Sequence, residues 1–285
     1  MIQSLRNIKL RIKSIESTRK ITHAMEMVSS SKLSRTKHRL FSERPYFMKL
    51  EAILNKLLAG PVKPVHPLLE NRSEEKKVAL CVIVSDAGLC SVYNYAAIRV
   101  AEDFIAKRGQ ENVRLVTVGR EGFNYFKRNG FSVSNQYIEL HGRYSDEVSK
   151  NISDVLVNMF LQKEVDGVYI AYTRFITTLR RKVMLEKFLN VDMPEGPDET
   201  EYIVEPDLAR AINRLIPAYI SEKFNLTLLD AFASEHAARM IAMKTATDNA
   251  NELVETLTLL RNKARQAAIT KEILEIAMSA EALKG

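Results

Sequence analysis

SEHAARMIAMKTATDNANELVETLTLLRNKARQAAITKEILEIAMSA, residues Ser234–Ala280, is the stretch whose reading decides the fold. After Pro217 the chain has no further proline, and no glycine before Gly285. Ala, Leu, Met, Glu, Lys and Arg dominate, and these are strong helix formers. The pattern predicts one helix over Leu208–Leu283, which at 1.5 Å per residue is roughly 110 Å long. No ordinary domain can bury a helix of that length. It must lie beside another long helix or inside a partner.

Its apolar positions fit that requirement. Leu226, Leu229, Ala233, Met240, Met243, Ala250, Val254, Leu257, Ala264 and Ala268 follow an alternating three-and-four spacing, the seam of a coiled coil. His236, Thr247 and Arg261 interrupt the seam. A second apolar line, Leu253, Leu260, Ala267 and Leu274, runs opposite, and a helix apolar on two sides has more than one neighbour. The same spacing also fits the core of a helical bundle.

The other end of the chain offers a companion. Ile2–Leu57 reads as a helix of roughly 80 Å. Leu5, Ile8, Ile12 and Ile15 hold a three-four spacing. The apolar line is then expected to move to Ile21, Met25 and Val28, ahead of Ser29, Ser30 and Ser31, small residues that let a partner helix come close. Pro45 removes a backbone hydrogen bond and predicts a bend, because Tyr46, Leu50, Ile53, Leu54 and Leu57 resume the pattern. Gly60-Pro61 ends it.

Between the two helices the periodicity changes. Pro61–Lys77 reads as a linker. Val78–Ser85 (VALCVIVS) is a continuous apolar run, the mark of a strand buried on both faces. Helices are expected at Tyr93–Arg108, Gly122–Arg128 and Asp146–Gln162. Strands are expected at Val113–Gly119, Phe131–Ile138, Gly167–Phe175 and Arg180–Phe188. This alternation predicts a small Rossmann-like α/β domain with a mainly parallel five-stranded sheet, its last two strands antiparallel because only a short turn joins them. The expected division is 1–60, 61–205 and 206–285.

The 285 residues are 46% hydrophobic and 27% charged, with room for one core and an extension. No run approaches the length of a membrane span, and MIQSLRNIKLRIKS lacks the apolar centre of a secretory signal. That segment is amphipathic and basic enough for a transit peptide, yet its helical period continues without a cleavage-like break. Cys81 and Cys90 predict no disulfide and a reducing compartment.

The net charge of +7 is uneven. Met1–Leu57 holds 13 Lys/Arg against 4 Asp/Glu, whereas the middle of the chain is slightly acidic. A basic helix suits a nucleic acid, an anionic membrane surface, an acidic protein surface, or simply solvent. Aromatics are absent before Phe41, which removes the stacking platforms of single-strand binders, and no duplex-reading motif occurs.

Motifs for bond chemistry are missing. SDAGLCS (Ser85–Ser91) carries one glycine where a dinucleotide fingerprint needs three. There is no GxxxxGK[ST], HExxH, GxSxG or CxxC, and His23, His38, His66, His141 and His236 are scattered. The expectation is a chain with no catalytic residues, no metal and no cofactor.

SEHAARMIAMKTATDNA (Ser234–Ala250), LRNKARQAAITKEILEI (Leu260–Ile276) and IKLRIKSIESTRKITHAMEMVSSSKL (Ile8–Leu33) resemble the terminal signatures of the gamma subunit of rotary F-type ATP synthases. The resemblance spans nearly the whole chain and is weakest in the middle. There SDAGLCSVYN stands where the family reads SDRGLCG, with Ala87 in place of the arginine and Ser91-Val92 in place of glycines. Plastid members carry a redox cysteine pair between the positions of Asn190 and Tyr202, and this chain has none.

The resemblance implies a fold in which the N- and C-terminal helices form a long antiparallel coiled coil. It also implies a function: a central-stalk rotor that couples ion flow through a membrane c-subunit ring to ATP synthesis or hydrolysis by alpha and beta subunits. The epsilon subunit is an implied partner too. The implied location is peripheral, on the cytoplasmic face of a bacterial inner membrane, with the mitochondrial matrix face as the alternative. By the same resemblance Arg265, Gln266 and Thr270 meet a loop of one beta subunit. Met25 and Arg239 face acidic ends of the beta subunits, with Lys20, Lys32 and Arg35 adding charge. Two of these residues also fit a plainer role, Arg265 as a solvated helix residue and Met25 as coiled-coil core. The rival class is a coiled-coil adaptor or scaffold with a non-catalytic α/β head.

Overall fold

A computed structural model describes residues 5–60, 65–72, 74–191, 205 and 207–282. Its elements run α1 (Leu5–Ala59), a 3-10 turn (Pro67–Leu69), β1 (Val78–Ile83), α2 (Tyr93–Arg108), β2 (Val113–Val118), α3 (Arg120–Arg128), β3 (Val133–Tyr137), α4 (Asp146–Leu161), β4 (Gly167–Phe175), β5 (Arg181–Leu189) and α5 (Leu208–Ala282), with a second 3-10 turn at Gln110–Asn112 before β2. The chain divides into two compact units, one of residues 1–28 with 240–285 and one of residues 29–239. Both long helices contribute to each unit.

In the larger unit the strands lie in the order β3-β2-β1-β4-β5. The pairs β1–β2, β2–β3 and β1–β4 are parallel and β4–β5 is antiparallel, as the short Ile176–Arg180 connection requires. Every residue of β1 is buried because the sheet is covered on both sides. Ala79, Cys81 and Ile83 face a core built with Leu50, Leu54 and Leu58 of α1, Leu156 and Phe160 of α4, and Phe224, Leu228 and Phe232 of α5. Leu80, Val82 and Val84 face the opposite side, against Ile98 and Ile105 of α2 and Phe126 of α3. Cys81 and Cys90 are both free thiols and both buried.

Two expectations are corrected. The Pro61–Lys77 segment is more than a linker, since Pro67–Leu69 forms a 3-10 turn whose Leu68 and Leu69 enter the core. His66 caps it by accepting the Leu68 amide at Nδ1. The second correction concerns the smaller unit, where the apolar line does not move to Ile21 and Val28, which stay 61% and 56% exposed. Instead the strict three-four spacing of Ile8 and Ile12 continues, and it brings Thr22 inward against α5.

The seam accepts polar residues because they pair across it. Thr247 Oγ1 lies 2.8 Å from Thr22 Oγ1, and Arg19 donates to Asn251 Oδ1 at 3.2 Å. As the α1 number rises the α5 number falls, so the two helices run antiparallel. On α5 of this unit Met243 and Ala250 are buried in the seam, whereas Leu253, Leu260 and Leu274 of the second apolar line are exposed. Pro45 sits inside α1, in the larger unit, and the helix continues across it.

Candidate functional site

Doubly wound sheets place their chemistry at the C-terminal ends of the parallel strands. In this chain that place is filled by the chain itself. Asp86, just after β1, accepts the backbone amides of Arg120 and Glu139, both at 3.0 Å on Oδ1, and of His141 at 2.6 Å on Oδ2. One carboxylate thus ties the β1–α2 turn to the start of α3 and to the β3–α4 loop. Gly119 makes the approach possible: its φ is +104°, and a Cβ there would collide with the Val84 carbonyl. Leu89 and Ser91 in the first turn, and Glu139 and His141 in the second, hold left-handed φ values despite their side chains.

Helix α5 closes the crevice from above. Arg239 donates to the carbonyls of Ala87 at 2.7 Å and Gly88 at 3.3 Å, and its third bond runs to Glu235 Oε1 at 2.7 Å. His236 Nε2 donates to the Gly142 carbonyl at 2.9 Å, and a Cβ on Gly142 would come within 2.5 Å of that ring. Lys32 of α1 donates to the His141 carbonyl at 3.1 Å, and Tyr93 of α2 donates to the Ala231 carbonyl at 2.9 Å. Glu235 Oε2, His236 Nδ1 and Ser234 Oγ are buried with no hydrogen-bond partner among the described residues.

Burial governs the electrostatics. It pushes the Glu235 carboxyl upward against the pull of Arg239, and it lowers the Lys32 ammonium despite the attraction of Glu235. His236 is held down at about 4 by the same cause, so its ring is neutral at ordinary pH. Neutrality leaves one ring nitrogen as donor and one as acceptor, and the Gly142 carbonyl fixes the proton on Nε2.

The residues singled out from sequence fall into three places. Arg265, Gln266 and Thr270 are exposed on α5 in the smaller unit, where Thr270 Oγ1 donates to the Gln266 carbonyl at 3.0 Å. Lys20 is exposed and Met25 half-buried on α1 of the same unit. In the larger unit Arg35 is exposed, and Lys32 stands with Arg239 beside Glu235. Arg239 itself is only 9% exposed, with its guanidinium bonds made inside the chain.

The contacts of Asp86, Glu235 and His236 are not among those the sequence pattern predicts. The available signal was a histidine interrupting an apolar seam, next to a glutamate four residues before an arginine. Ala87 needs no side chain for its part, because what the turn offers α5 is a carbonyl.

An open cleft elsewhere in the larger unit, of about 740 Å³, is lined by residues of α1, α5, β4 and β5. Within it Arg44 pairs with Asp230 at 3.0 Å and Arg174 with Glu186 at 2.8 Å, and Lys187 pairs with Glu75 at 2.9 Å.

The family model described as "ATP synthase" matches residues 4–283. The ATP synthase gamma chain of Protochlamydia amoebophila is 38% identical, and that of Pelotomaculum thermopropionicum 39% identical, each over 99% of both chains. This chain belongs to the ATP synthase gamma chain family. As a gamma chain it is a subunit of the ATP synthase complex. Among solved structures, a chain of the Euglena gracilis mitochondrial ATP synthase (OSCP/F1/c-ring) superposes with a TM-score of 0.72 at 16% identity, over 98% of this chain and 94% of that one. A chain of the Tetrahymena thermophila mitochondrial ATP synthase central stalk and c-ring gives 0.60 at 23% identity, over 79% and 99%. At these identities the two structures speak for the gamma-chain fold alone.

Proposed function

We propose that this chain is the central-stalk rotor of an F-type ATP synthase and does no bond chemistry itself. The observation that carries the reading is the match to gamma chains along 99% of both sequences. Two features of the fold support it. The crevice where a doubly wound sheet takes a ligand is occupied by Arg239 and His236 of α5. The last third of α5 leaves Ile269, Ile273, Leu274, Ile276 and Met278 between 49% and 64% exposed, more apolar surface than a helix left in water carries.

In this role the helical segments 1–60 and 206–285 are the axle and the α/β segment 61–205 is the foot. Alpha and beta subunits surround the axle, and the foot rests with the epsilon subunit on the ring of membrane c subunits. Ion flow turns ring and rotor together, and the rotor's unequal faces bias each catalytic subunit toward a different nucleotide-binding state. Free energy passes through those differential contacts. Arg265, Gln266 and Thr270 form the upper contact with a beta subunit, the guanidinium making charge-assisted bonds to acidic loop residues. Lys20, Met25, Lys32 and Arg35 form the lower contact, which Arg239 supports from inside.

No helix among the described residues is long and apolar enough to cross a membrane, and the related gamma chains are bacterial. A peripheral position on the cytoplasmic face of a bacterial inner membrane accords with both. A tagged chain expressed with its alpha and beta subunits should bring them down with ATPase activity; recovery of the chain as a lone homodimer would refute the role. Arg265→Ala with Gln266→Ala should then lower turnover or assembly yield, and wild-type values in both would refute the upper contact.

A further inference from the structure

A rotor needs a joint between helix and head that does not slip. Helix α5 packs onto the sheet mainly through apolar side chains, and apolar packing has no direction. Directional bonds tie α5 to its surroundings at several points, among them Arg44 to Asp230, Ser149 to Asn225 and the Lys223 ammonium to the Lys187 carbonyl, and one cluster of them lies at the C-terminal ends of β1 and β3. There Asp86 gathers three backbone amides from two elements, Arg239 takes two carbonyls of the β1–α2 turn, and His236 and Lys32 take carbonyls of the β3–α4 loop. Glu235, 2% exposed, holds Arg239 in the rotamer that reaches the turn. Both turns are set in left-handed conformations at non-glycine residues, which persist only where surrounding bonds over-determine them. Asp86 and Glu235 lie behind this contact, buried under the helix and the turns, and are not part of the rotor's exposed faces.

We propose that Asp86 and Glu235 are positioning residues of a torque-bearing joint, which keys α5 to the α/β fold so that load on the helix is passed to the sheet without slippage. The inference rests on the rotor reading above. Interlocked packing resists both separation and sliding of helix and sheet, and bonds whose geometry fixes register add to the resistance against sliding.

The test uses the assembled complex in sealed membrane vesicles, carrying Asp86→Asn, Glu235→Gln or Leu179→Ser, the last an exposed control in the β4–β5 turn. Ion pumping and ATP hydrolysis are measured together. Asp86→Asn and Glu235→Gln should each lower the ions pumped per ATP by about threefold, the size expected when one link of a coupling network is cut. Hydrolysis without a gradient should stay near wild type, and Leu179→Ser should match wild type in both. An unchanged pumping ratio in both joint variants overturns the joint. Equal falls in pumping and hydrolysis, leaving the ratio intact, mean a merely structural role and overturn it as well.

If the variants do not assemble, amide exchange in the wild-type complex decides. The Arg120, Glu139 and His141 amides should exchange as slowly as those in the middle of β1, and exchange at loop rates overturns the proposal. Failure of the wild-type chain to assemble with alpha and beta subunits would instead sink the rotor reading, so the two failures are distinct.

Discussion

Residues 226–239 and 253–278 are stretches of one helix, drawn from similar helix-forming residues, yet their surroundings are opposite. Every residue from Leu226 to Arg239 is buried, including Asp230, Glu235, His236 and Arg239. From Leu253 to Met278 the apolar residues Leu253, Leu259, Leu260, Ile269, Ile273 and Ile276 are each at least 46% exposed. Propensity cannot account for the difference, because both stretches are helical. What differs is the source of the neighbours. The first stretch finds them within its own chain, and it is polar where it must lock onto turns. The second leaves its apolar side chains exposed outside the fold of its own chain.

The largest expected effect comes from testing that contrast directly. Phe232→Ala removes a buried ring from the core of the larger unit and should cost about 3–5 kcal/mol in denaturant unfolding of the full chain. Ile273→Ser acts on an exposed side chain and should stay within about 0.5 kcal/mol in the same assay. Similar losses for the two would erase the distinction between the stretches.

The next effect is set by pH. His236 has its folded-state pKa depressed to about 4 from the usual 6.5, so the unfolded chain takes up the proton first on acidification. Stability should therefore be lost as pH falls from about 6.5 to about 4, by about 3 kcal/mol in all. Asp230 works in the opposite direction. Burial raises its carboxyl to about 6 from 3.8 against the pull of Arg44, so the folded chain binds that proton first and gains stability across roughly the same window. Separate profiles of His236→Gln and Asp230→Asn should depart from wild type with opposite slopes between pH 4 and 6. Parallel departures would mean that one of the two groups is not desolvated in the folded chain.

Much of this architecture was legible in the sequence, for a physical reason. A proline-free run of helix formers with a three-four seam has few ways to fold, and VALCVIVS has few ways to be anything but a central strand. Pairings of the antiparallel β4–β5 kind are short-range, so they too could be read. The joint at Asp86 was not readable, because its bonds between elements join residues 34 to 152 positions apart, and four of its acceptors are backbone carbonyls that leave no trace in residue type. Ile21 and Val28 misled for a related reason. Hydrophobicity marked a plausible face, but the orientation of α1 had already been set by Ile8 and Ile12, and Thr22 followed them inward.

Thr22 also supplies the smallest and finest test, in the smaller unit, where the two helices have only each other. Its hydroxyl and that of Thr247 are 2.8 Å apart across the seam, and each is also tied to its own helix, Thr22 to the Arg19 carbonyl and Thr247 to the Met243 carbonyl. Thr22→Val or Thr247→Val alone keeps the side-chain shape but leaves the remaining hydroxyl bonded only within its own helix and facing an apolar group, at a cost of about 1 kcal/mol. Changing both to valine removes donor and acceptor together and should cost less than the two singles combined, since a β-branched apolar pair suits a coiled-coil seam. A double-mutant cycle on the full chain should therefore report a coupling of about 0.5–1 kcal/mol. A coupling of zero would mean that the bonds within each helix satisfy both hydroxyls, and that the polar break in the seam is tolerated by each helix separately instead of being matched across the pair.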